Sequence, residues 1–112
     1  MSANTIMEID ASELAQWVND ATQCLRVIDV RQMQEIAMGT VPKAEPLPLH
    51  TLPAKVHELS RGEKLVMVCR SGARSAQACM FLQQQGFSNV YNLRGGIMGW
   101  VQSGFPAYQL AA

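Results

Sequence analysis

Short runs of Val, Ile and Leu recur along this chain, each followed by a stretch with helical spacing, and this alternation constrains the fold most. Strands apolar on both faces, with a helix between one and the next, build a parallel sheet covered by helices. The clearest run is LVMV at Leu65 to Val68; LRVIDV at Leu25 to Val30, Ile6 to Ile9 and Asn89 to Asn92 are the others. A brief extended piece is expected near Leu47 to Leu49. The expected class is therefore α/β, with a mainly parallel five-stranded sheet and helices on both faces. At 112 residues, 48% of them hydrophobic, the chain suits one domain spanning 1–112.

The helices have their own signals. Asp10 with Glu13 forms a capping pattern, and Leu14, Trp17 and Val18 then share one face of a helix from Ala11 to Asn19. Gly39, Pro42, Pro46 and Pro48 exclude a long regular element between Gln32 and Pro48. Pro53 suits the first turn of a helix running to Leu59, with Ser60, Arg61 and Gly62 as its exit. From Arg74 to Gln85 the spacing is helical, with Ala78, Phe81 and Leu82 clustered and Gly86 as the C-terminal cap. A last helical stretch follows Arg94, Gly95 and Gly96 and reaches Trp100.

Charge and cysteine usage remove several function classes. Nine basic residues balance nine acidic ones, so no global field favours nucleic acid or an anionic membrane. No apolar run approaches the roughly 18 residues of a membrane span. MSANTIMEID lacks the basic and apolar regions of a signal peptide, so a cytoplasmic location is expected. Cys24, Cys69 and Cys79 show neither CxxC nor metal-ligand spacing, which indicates no zinc site and no disulfide framework.

Cys69 stands apart. It directly follows the LVMV strand, and in an open parallel sheet ligands bind where loops leave the carboxyl ends of strands. The loop Cys69, Arg70, Ser71, Gly72, Ala73, Arg74 contains no proline, so successive backbone N–H groups can converge on an anion, and Gly72 permits an unusual turn. Arg70 and Arg74 add positive charge. Ser71 and Ser75 supply hydroxyl donors, and Ser75 can also cap the following helix. Such surroundings lower a thiol from about 8.5 toward roughly 3.5 to 7.5, so Cys69 should be largely thiolate at neutral pH.

These residues carry a resemblance to the rhodanese family, whose active loop is a cysteine followed after four residues by an arginine or polar residue. CRSGARS is such a loop. LRVIDVR resembles the family's strand ending in DVR, GTVPKAEPLP stands where its GHIPGA signature lies, and NLRGGIMGW resembles its closing motif with paired glycines and tryptophan. In order, with the final GFP at Gly104 to Pro106, these motifs cover most of residues 6–106. The resemblance implies a rhodanese-like fold and a sulfurtransferase. In it, Cys69 takes sulfur from thiosulfate or a persulfide donor and yields it to cyanide, a cellular thiol or a protein acceptor. No metal or organic cofactor is implied. Thr40 replaces the signature's histidine and Lys43 its second glycine, which bears on pocket shape and substrate preference rather than on the chemistry.

Blander roles are expected elsewhere. Cys24 and Cys79 read as small buried hydrophobes. Asp29 and Arg31 read as a supporting ion pair, Trp17 and Trp100 as packing residues, and Arg94 as facing either the pocket or solvent. His50 and His57 lack triad spacing. Two other functions use similar parts: a catalytically silent rhodanese-like binding module, and a cysteine phosphatase or arsenate reductase. The latter enzymes place five residues between cysteine and arginine, whereas four separate Cys69 from Arg74.

Overall fold

The computed structural model describes residues 5–109. Five strands form one sheet: β1 (Met7–Ile9), β2 (Leu25–Asp29), β3 (Ala44–Pro46), β4 (Lys64–Val68) and β5 (Val90–Leu93). Their spatial order is β1-β5-β4-β2-β3, and every pairing is parallel. The helices are α1 (Ala11–Val18), α2 (Met33–Ile36), α3 (Leu52–Lys55), α4 (Ala73–Gln84) and α5 (Gly96–Gln102). None among the described residues is long and apolar enough to cross a membrane.

Side chains of β4 alternate between the two faces, as the pleat requires. Val66 and Val68 join Val27, Leu14, Val18 and Trp100 on the side covered by α1 and α5. Leu65 and Met67 join Ile28, Ala78 and Leu82 on the side covered by α3 and α4. Cys69 continues the second series, so the pleat itself aims its side chain at α4. Because β3 lies outside β2 while β5 lies on the other side of β4, the connections leave β2 and β4 in opposite directions. The crevice at the carboxyl ends of these two strands is the sheet's switch point.

Where the sequence signal was strong, the elements fall within a residue or two of expectation, and the Asp10–Glu13 capping box closes in both directions. Two expectations on the proline-rich side need correction. The edge strand is Ala44–Pro46, not Leu47 to Leu49; Pro46 is tolerated because an edge strand has one side free of ladder bonds. The backbone nevertheless stays against β2, since the N–H groups of Leu47 and Leu49 donate to Asp29 and Val30 carbonyls at 2.9 Å each. The helix expected from Pro53 to Leu59 is broken into the short α3 and a 3-10 turn at Val56–Glu58, and a further 3-10 turn at Leu49–Thr51 precedes it.

Trp100 is buried and donates its ring N–H to the Pro106 carbonyl at 2.8 Å. Trp17 packs edge-on against Tyr91 with ring centroids 5.1 Å apart. Cys79 is buried as expected, but Cys24 is exposed. It precedes β2 on the surface, outside the alternation that would have turned it inward.

Candidate functional site

Cys69 leaves the carboxyl end of β4 and is 1% exposed. The chain then turns through Gly72, whose φ of +108° lies in the left-handed region that favours glycine, and α4 begins at Ala73. This turn brings the loop back over the sulfur: the Gly72 N–H donates to Cys69 Sγ at 3.1 Å, and Ser75 Oγ lies 3.3 Å from it. Burial pushes the thiol up, but the Ser75 hydroxyl and the backbone N–H groups of Ser75, Gly72 and Ser71 outweigh it, leaving Cys69 below its ordinary value. Of the loop groups, the Gly72 N–H and the Ser75 hydroxyl lie within hydrogen-bond distance of the sulfur.

One loop residue serves differently from expectation, and another is engaged away from the sulfur. Ser75 does not cap α4; it is buried three residues into the helix, bonded to Cys69 and to Asn92 Oδ1 at 2.5 Å. Arg74 does not turn its guanidinium fork onto the sulfur. It makes a two-pronged pair with Glu35 of α2, at 2.7 and 2.8 Å, and this pair holds the Glu35 carboxyl at about 2. Arg70 is exposed and makes no ion pair among the described residues, so it is the cation left at the mouth.

The loop is fixed from outside by the paired glycines. The Ile97 and Met98 N–H groups at the start of α5 donate to the Cys69 and Arg70 carbonyls, at 2.9 and 3.0 Å. Gly96 sits at φ +61°, and a Cβ there would lie 2.4 Å from the Arg70 carbonyl oxygen and 2.5 Å from that of Cys69. Only glycine fits between α5 and the loop.

Asp29 and Arg31 form the expected supporting pair, and both are buried. Asp29 accepts from the Arg31 backbone and guanidinium at 2.8 to 3.1 Å, and the guanidinium also donates to the Gly39 carbonyl at 2.6 Å. Thr40 completes this set by donating its hydroxyl to Asp29 at 2.6 Å. Lys43 adopts φ +68°, which is why glycine suits that position, and its ammonium donates to the Val18 carbonyl at the end of α1.

The described residues 10–103 match the family model for the rhodanese-like domain. The chain belongs to this family. Among rhodanese-like relatives, it is 45% identical to a protein named sulfurtransferase from Allochromatium vinosum over 101 residues, 90% of this chain and 94% of that one. Its fold is similar to the crystal structure of a rhodanese-related protein from Thermoplasma volcanium, at 31% identity, with TM-score 0.82 over 91% of this chain and 97% of the other. It is likewise similar to a rhodanese-like domain protein from Staphylococcus aureus, at 27% identity, with TM-score 0.83 over 95% of this chain and 100% of that one.

Beside the rhodanese-like loop runs an open groove of about 480 Å³, bounded by Arg70, Arg31, Glu35, Met38, Ile97 and Met98. Met38 is 81% exposed and Met98 42%, so the groove lining combines exposed apolar side chains with charged ones. Arg94 is exposed and does not line it. His50 and His57 are exposed, in the two 3-10 turns that flank α3, and neither lines this groove. Among the described residues no three His, Cys, Asp or Glu side chains gather as metal ligands. Sequence reasoning missed Asn92 and Glu35. Asn92 carried a signal, an amide inside the buried strand β5; Glu35 carried none pointing to Arg74, 39 positions away.

Proposed function

We propose that this protein is a sulfurtransferase in which Cys69 carries sulfur as a persulfide. The observation carrying the reading is a buried thiol, held below its ordinary value by a hydroxyl and loop N–H groups, at the switch point of the sheet. The similarity to a protein named sulfurtransferase supports it.

In the first half-reaction the Cys69 thiolate attacks the outer sulfur of thiosulfate or of an organic persulfide. The Cys69 S–S bond forms as the donor's own S–S bond breaks, and sulfite or a thiol(ate) leaves with the bonding pair. The charge now rests on the outer sulfur, within reach of the loop N–H groups. In the second half-reaction cyanide, a thiol or a protein thiol attacks that sulfur, and the Cys69 thiolate is restored. Ser71, Gly72, Ala73 and Ser75 form the cradle wall, Arg70 draws the anionic donor to the mouth, and Arg74 locks the loop to α2 through Glu35. The exposed methionines that line the groove beside Arg70 offer a seat for an organic donor or acceptor.

A phosphatase reading is disfavoured because the arginine such a site needs in the cradle is here engaged by Glu35. Incubation with thiosulfate, removal of excess donor and intact-mass measurement test the proposal. The wild type should gain the mass of one sulfur atom and Cys69→Ser none; no adduct, with turnover of an aryl phosphate instead, would overturn it.

A further inference from the structure

A hydroxyl has one proton to give, and Ser75 has two neighbours able to take it. Its oxygen lies 3.3 Å from Cys69 Sγ and 2.5 Å from Asn92 Oδ1. The Asn92 amide cannot yield by turning over. Its Nδ2 donates to the Gly72 carbonyl at 3.2 Å and to the Glu8 carboxylate at 3.1 Å, both acceptors without a hydrogen. A flipped amide would set its oxygen against those two oxygens. Oδ1 therefore faces Ser75, and since a carbonyl oxygen only accepts, the hydrogen between them belongs to Ser75.

In the thiol state every group is satisfied: Cys69 S–H donates to Ser75 Oγ, and Ser75 O–H donates to Asn92. In the thiolate state the sulfur needs a hydrogen that Ser75 can supply only by leaving Asn92, whose buried oxygen then loses its donor. We infer that Asn92 is a positioning residue, competing with the Cys69 sulfur for the Ser75 hydroxyl proton and keeping the thiolate more basic, and so more nucleophilic, than Ser75 alone would leave it. A thiolate stabilised too well attacks slowly, because nucleophilicity falls with pKa. The cradle ionises the thiol, and Asn92 limits how far that stabilisation goes.

Other charged groups face Cys69. Arg70 stands at the mouth, Arg74 on α4 is paired with Glu35 of α2, Asp29 on β2 is paired with Arg31, Cys79 lies one turn beyond Ser75, and Glu8 on β1 lies behind Asn92. A substitution of Asn92 frees only the exposed Glu8 and leaves the others in place, so their effects cancel between variant and parent, and the Ser75→Ala pair, in which Glu8 is freed as well, removes the Glu8 contribution from the comparison.

Asn92→Leu keeps the volume and removes the competing oxygen. The Gly72 carbonyl retains its bond from the Ala76 N–H at 3.1 Å, and exposed Glu8 turns to water. In a Cys24→Ser background, which removes the exposed thiol, the rate of iodoacetamide alkylation of Cys69 is followed against pH by mass spectrometry, with a thermal melt to check folding. The alkylation midpoint should fall by roughly one pH unit, and the high-pH rate constant should fall about threefold. Neither change should occur when Ser75→Ala is present in both proteins. Asn92→Ala, read the same way, serves if the leucine variant does not fold. A midpoint that stays or rises, or a shift that persists without Ser75, would overturn the inference. It rests on Cys69 being the nucleophile, but alkylation requires no sulfur donor, so its failure is distinct from a failure of the sulfurtransferase reading.

Discussion

Cys69 and Cys79 are both buried, both lie on the α4 side of the sheet, and their thiols are driven in opposite directions. Burial pushes Cys79 up to about 12, with the Glu8 and Cys69 charges adding to it. The same burial acts on Cys69 and is overcome there by Ser75 and the loop N–H groups. Desolvation disfavours a thiolate wherever it occurs; what separates the two cysteines is a set of donors already aimed at one sulfur and, among the described residues, absent from the other. The contrast between the two thiols lies in the donors around Cys69, the Ser75 hydroxyl first and the loop N–H groups after it.

The comparison breaks most severely if the loop is forced out of aim. Gly96→Ala would press a Cβ into the Arg70 and Cys69 carbonyls at a positive φ. We expect a loss of about 3 kcal/mol of stability by chemical denaturation. In the folded fraction, a fall of at least about 10²-fold in sulfur transfer is expected, with Cys69 alkylating more like Cys79. Retention of both properties would show that α5 does not hold the loop.

A smaller effect separates the cysteines by pH. Cys79 has a folded value near 12 against an ordinary 9.0, so its contribution to stability is complete below 9.0 and is lost as pH rises toward 12. Cys69 has the opposite sign: its folded value is depressed, so its contribution is present above 9.0 and is lost as pH falls through the lower folded value. Cys79→Ala should therefore flatten the alkaline decline in stability while leaving sulfur transfer intact, at a cost of about 1 kcal/mol at neutral pH. An unchanged alkaline decline would sink the assignment.

The smallest effect concerns Arg74. Glu35 is held at about 2 against 4.5, so the pair's stabilisation is present above 4.5 and fades as pH falls toward 2. Both side chains are about a third exposed, which limits the pair to less than about 1 kcal/mol. Glu35→Gln should leave the Cys69 alkylation midpoint nearly unmoved. A large shift would mean that the arginine charge, rather than the N–H groups, sets the thiol.

Much of this was legible in the sequence because the informative signals were local. LVMV followed by Cys69, the glycine-containing loop and the helical spacing after it describe a strand, a turn and a helix within twenty residues, and the cradle follows from that order. The proline-rich segment was read less well, since prolines mark where regular structure stops without saying where the backbone rejoins the sheet. The roles of Arg74, Ser75 and Asn92 depend on contacts 17 to 39 positions apart. Arg74 reads from the sequence as positive charge beside the loop, and nothing local points to its pairing with Glu35. Thr40 and Lys43, departures from the family signature, are explained by the fold: a hydroxyl completing the Asp29 set and a cation capping α1.

The central claim is that one sulfur atom resides on one cysteine. Protein loaded with thiosulfate, freed of donor and mixed with excess cyanide should release one thiocyanate per chain in a single burst, and Cys69→Ser should release none. Thiocyanate from the Cys69→Ser protein, or no burst from wild type that has gained sulfur by mass, would contradict it.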